Sequence, residues 1–143
     1  MKTILKKSFL WWLPLPAIGM LNGMFRGVLL NRIFPDFVAH QFSSLLMIVW
    51  ILLYIEAVYG KLNYQKASHA WVTGLTWVLL TVAFEFILGY FIFGSSVQSM
   101  LAEYNLLEGR FWVLVLVSIL VSPLLYFKLG EHDPVNSSRQ KTT

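Results

Sequence analysis

From Ala70 to Phe93 the chain runs for 24 residues with a single charged side chain, Glu85, and from Phe111 it runs uncharged as far as Lys128. At a rise of about 1.5 Å per residue, either run forms a helix long enough to cross a hydrocarbon core about 30 Å thick. Two more apolar stretches precede them, so spans are expected at about 9–26, 37–59, 70–93 and 111–129. The fold class that follows is all-α: a polytopic membrane protein of four transmembrane helices. Hydrophobic residues make up 57% of the 143 residues and charged ones 13%, which excludes a soluble globule or a disordered chain. The absence of cysteine removes thiolate metal sites, thiol nucleophiles and disulfide scaffolds.

Each span has its own punctuation. Lys2, Lys6 and Lys7 precede the first, as in the charged start of a signal peptide, but Pro14 and Pro16 interrupt the run and no small-x-small cleavage site follows. A retained helix starting near the prolines is therefore expected. Asp36, after Pro35, is a candidate N-cap for the second span, which is expected to stop at Tyr59-Gly60. Between spans three and four, Val97, Met100, Leu101, Tyr104 and Leu107 recur at helical spacing, Ser95 with Gln98 makes a capping-box pattern, and Gly109 is a natural stop. That segment, about 96–108, reads as a short interfacial amphipathic helix, or alternatively as a lid packed on the bundle. Residues 130–143 form a polar tail expected to be disordered.

The net charge of +4 does not indicate nucleic acid, because the 11 basic residues are spread around the apolar spans. They set topology instead. Lys2, Lys6, Lys7, Lys61, Lys66, Lys128, Arg139 and Lys141 fall on one side, and Arg26, Arg32 and Arg110 on the other, so both termini are expected in the cytoplasm. The Asn136-Ser137-Ser138 sequon and Glu131-His132-Asp133 then lie in a solvated cytoplasmic tail, and the lipid bilayer is the first partner.

A charge at the bilayer centre costs about 2.5 to 3.5 kcal/mol on insertion scales, so each one needs a partner or a task. Glu85 lies about 12 Å inside its helix end, too deep for a short carboxylate to snorkel out. At a similar depth the other spans bring Asn22, Arg26, His40 and Arg110, and Thr81 comes from the third span itself. Arg26 or Arg110 is the expected ion-pair partner of Glu85, since a guanidinium fork binds a carboxylate through two hydrogen bonds. Gly19, Gly23 and Gly27 make a small-xxx-small stripe, for a helix of the same chain or of a second copy in a homo-oligomer. No hydrolase, metalloprotease or nucleotide-binding motif is present, and neither a metal nor a cofactor is expected.

The stretch Thr81-Val82-Ala83-Phe84-Glu85-Phe86, then Gly89, then Tyr104 through Trp112 (YNLLEGRFW), together with Asn22-Gly23-x-x-Arg26, resembles an uncharacterised family of small bacterial four-span integral membrane proteins. The resemblance covers most of residues 10–128. It implies a bacterial inner-membrane location and a four-helix fold, and it brings no activity. Two classes of function fit the residues. One is a non-enzymatic structural or accessory protein, its helices held by a buried Glu85, Arg26 and Arg110 network. The other is a small transporter or channel in which the same groups handle a proton or anion. Acid–base enzymology by Glu85 with His40 is weaker, because no nucleophile or metal set accompanies them.

Overall fold

The structure, a computed structural model, describes residues 1–131. The expectations placed on residues 132–143 lie outside it. The described chain is helical throughout, and four of its helical rods are long and apolar enough to cross a membrane. The first rod, Lys2–Ile33, is built from α1 (Lys2–Trp12), α2 (Pro14–Phe25), a π-helical turn (Arg26–Leu30) and α3 (Asn31–Ile33). The second is α4 (Asp36–Leu62). The third is α5 (Ala67–Ile87), continued by a second π-helical turn, Leu88–Ile92. After a connection carrying α6 (Val97–Ala102) and a 3₁₀ turn (Leu106–Glu108), α7 (Trp112–Glu131) is the fourth.

Several boundaries differ from the sequence expectation, each for a local reason. The first rod starts at Lys2, ahead of the prolines, and runs beyond Arg26. Pro14 falls at the first turn of α2, where a missing N–H costs nothing, and Leu13 keeps αR geometry, so helix follows helix. The cap before α4 is Pro35, preceded by Phe34 in the extended conformation that a following proline demands; Asp36 instead accepts from Asn31 Nδ2 at 3.1 Å. That helix passes Gly60 and ends at Asn63, whose φ of 49° is the left-handed stop. Pro123 sits inside α7 without ending it.

The expected interfacial helix is broken. Only α6 is α-helical, capped by Ser96, whose side chain accepts from Ser99 N at 3.1 Å, in place of Ser95 with Gln98. Gly109 does close the segment, with φ of 77°. Leu107 is 99% exposed, while Tyr104 turns inward onto the third rod, so the segment covers one end of the bundle.

The packing partners close a ring. α1 lies on α5, α5 on α7, α7 on α4, and α4 on α2. The first rod thus leans, its start against the third rod and its upper half against the second. Gly74 lets α5 and α7 meet closely, since a Cβ there would collide with the Leu120 carbonyl. Trp77, Ile51, Ile55, Leu62, Val115 and Ile119 fill the core. The start of the first rod, the 63–66 loop and the end of α7 share one end: Lys7 Nζ reaches the Lys61 and Leu62 carbonyls at 3.5 Å, and the Tyr64 ring meets Phe127. The Phe34-Pro35 turn and the covering segment share the other.

Candidate functional site

At the covered end the leaning first rod and the third rod part, and a cavity of about 730 Å³ opens between them. Asn22 and Arg26 of the first rod, His40 of α4, Thr81 and Glu85 of α5, and Glu103 and Tyr104 of the covering segment all reach its wall. Most of the remaining lining is apolar, from Leu15, Met47, Phe84 and Ile119 among others. Both π-helical turns flank it: Arg26 opens the first, and Leu88 and Gly89 belong to the second. Such turns shift helical register locally and recur at functional sites.

Glu85 does not pair with an arginine. Its Oε2 accepts two hydrogen bonds, from the Tyr104 hydroxyl and the Trp112 indole Nε1, each at 2.9 Å. Both donors are neutral, and no Lys, Arg or His nitrogen among the described residues comes within 4.0 Å of the carboxylate. Burial first, and then the adjacent Glu85 carboxylate, push the Tyr104 phenol above its ordinary value, so it stays a proton donor.

The two arginines serve another carboxylate or none. Arg110 donates from Nη1 to Glu103 Oε1 at 3.0 Å, and the other oxygen of Glu103 lies 3.3 Å from His40 Nε2. Arg26 Nη1 meets His40 Nδ1. A guanidinium has no acceptor, so Nδ1 accepts and the imidazole proton sits on Nε2, facing Glu103. The result is a chain, Arg26 to His40 to Glu103 to Arg110, which ties the covering segment to the first rod and α4. Gln41 reinforces it by donating to the Gly109 carbonyl at 3.1 Å.

Of the six expected site residues, five line the one cavity and Arg110 stands behind Glu103, outside the lining. Asn22 is buried and donates to Ser43 at both its carbonyl (3.0 Å) and its hydroxyl (2.8 Å). Thr81 accepts from Trp12 Nε1 at 3.1 Å, which makes Trp12 a buried strut between rods. The glycine stripe divides: a Cβ on Gly19 would touch Met47 at 3.7 Å, while Gly23 and Gly27 have nothing within 4 Å. The sequence reading missed Glu103 as the partner of Arg110. The available signal was its placement three residues after Met100 on the inward side of α6. No protein-family model, curated protein or solved structure matches this chain.

Proposed function

We propose that the protein is a multi-pass integral membrane protein of the bacterial inner membrane, its lysine-rich end and both termini facing the cytoplasm, and that it is a small non-enzymatic transporter. Its cavity holds a small solute beneath the covering segment, and Glu85 is the acidic group that the solute or a proton meets. One observation carries this choice over pure helix-to-helix glue. The polar groups of three rods and the covering segment converge on an open volume of about 730 Å³, whereas a network that only joins helices would fill its own contacts. The Arg26-His40-Glu103-Arg110 chain is given the structural part, as the latch that holds the cover.

The test is proton flux in liposomes under an imposed pH gradient, with wild type and Glu85→Gln at equal incorporation. Wild type is expected to collapse the gradient and a folded Glu85→Gln to leave it standing. Equal rates in the two, or none above protein-free liposomes, would remove the transport reading.

A further inference from the structure

The wall of the cavity carries two charges that have no counter-ion among the described residues, and they have opposite signs. On α5, Glu85 spends Oε2 on two neutral donors, and no other hydrogen bond from the described residues reaches the carboxylate through Oε1. At the start of the first π-helical turn, Arg26 spends Nη1 on the acceptor nitrogen of His40 and has no carboxylate within 4.0 Å among the described residues. Glu103 is paired with Arg110 instead, its other oxygen lying 3.3 Å from His40 Nε2. Uncompensated charge at this depth is costly, and neither group finds a counter-ion among the described residues.

A purely anionic ligand would answer Arg26 and leave Glu85 facing its negative charge. A purely cationic one would do the reverse. A ligand bearing both charges meets both walls: an ammonium on the free oxygen of Glu85, with Phe84 and Trp112 also in the lining, and a phosphate or carboxylate on the remaining fork of Arg26. The rest of the volume requires hydrocarbon, and its rim says where that comes from. Met20 and Met24, within the first rod, line the cavity and are exposed on the flank of the bundle, and Phe93, just past the end of the third rod, lines it and is exposed as well. The cavity therefore reaches the flank of the bundle, the direction from which lipid chains approach, as well as the covered end.

We infer that the cavity is a binding site for a zwitterionic amphiphile, a molecule with an ammonium and an anionic group on one head and a hydrocarbon body that enters sideways between the first and third rods. The inference rests on the proposed cavity function for its setting, but it is read by binding alone, without a gradient.

The experiment uses the full chain in a neutral maltoside detergent and measures binding of lysophosphatidylethanolamine, lysophosphatidylglycerol and dodecylammonium by tryptophan fluorescence. Wild type is expected to prefer lysophosphatidylethanolamine about tenfold over either singly charged probe, the worth of one added charge-assisted contact. Glu85→Gln is expected to erase the preference over the anionic probe, and Arg26→Gln the preference over the cationic one; Glu85→Asp and Arg26→Lys, which keep the charges, should restore much of it if the glutamine variants unfold. Phosphoethanolamine, the same head without a chain, should compete at least about a hundredfold more weakly. The inference is overturned if either singly charged probe binds wild type as tightly as the zwitterion, if both glutamine variants keep wild-type preference, or if the chainless head competes equally. Selective binding without proton flux would remove the transport reading and leave this one standing; flux without selectivity would do the opposite.

Discussion

The two ends of the bundle are built from the same rods and solve opposite problems. At the lysine-rich end the interior is filled by side chains. Trp77 is fully buried and donates to the Ser8 carbonyl at 2.7 Å, Ser8 and Thr73 share a 2.8 Å hydrogen bond, and Tyr54 donates to the Trp11 carbonyl at 2.6 Å. Every one of those polar groups has a partner on a neighbouring rod, as an apolar interior requires. At the covered end, Leu13-Pro14 and the lean of the first rod take α2 away from α5, two π-helical turns disturb the backbone register, and polar groups that bond to one another also border a cavity. Close packing and an open volume are thus separated along one axis: the lower half supplies rigidity, and the upper half is free to carry unpaired charge.

The sharpest way to break this division is to delete bulk at each end. Trp77→Ala should lower unfolding stability by about 3–5 kcal/mol, because it leaves a cavity in a filled core. Phe84→Ala, which enlarges an existing cavity, should cost less than half as much. Reversible SDS unfolding in mixed micelles measures both, and equal losses would erase the distinction. A step smaller is the addition of one methyl. Gly74→Ala should cost about 1–3 kcal/mol, because backbone and not a flexible side chain stands in the way at Leu120, whereas Gly23→Ala, with nothing within 4 Å, should stay within about 0.5 kcal/mol of wild type. Smaller again is Thr73→Val. It removes the hydroxyl shared with Ser8 and should cost about 0.6–1.7 kcal/mol, the range for a single polar contact between membrane helices.

The same division explains what was legible in the sequence. Charge-free length determined four rods, and the isolated Glu85 marked the third as the one with something to explain. Depth along a helix is readable from residue number, so Asn22, Arg26, His40, Thr81 and Glu85 could be placed at one level. Azimuth is not readable, and pairing depends on it. Arg110 faces Glu103 because the chain between the third and fourth rods folds as a six-residue helix and a 3₁₀ turn, not as one continuous amphipathic helix. That break also turns Tyr104 onto Glu85, so two neutral donors occupy the place expected for a guanidinium. The lean of the first rod was out of reach for a similar reason: prolines at a helix start read as a beginning, and here a helix already precedes them.

Two tyrosines outside the rods refine the comparison by titration. Burial pushes the Tyr64 phenol above its ordinary value at the lysine-rich end; at the covered end Tyr104 is raised by burial and also by the charge of Glu85. In each case the folded protein holds the phenolic proton more tightly than the unfolded chain, so the stabilisation is fully present below the ordinary phenol value near pH 10 and is lost as pH climbs through the folded value. Ultraviolet difference titration of tyrosinate, with Tyr64→Phe and Tyr104→Phe to assign the two steps, should show Glu85→Gln moving the Tyr104 step toward lower pH and leaving the Tyr64 step in place. The reason is distance in kind as well as in space, since removing a carboxylate charge relieves only the phenol that donates to it. A shift of both steps would mean that the ends are electrically coupled through the bundle, and a shift of neither would mean that Glu85 carries no charge beside Tyr104.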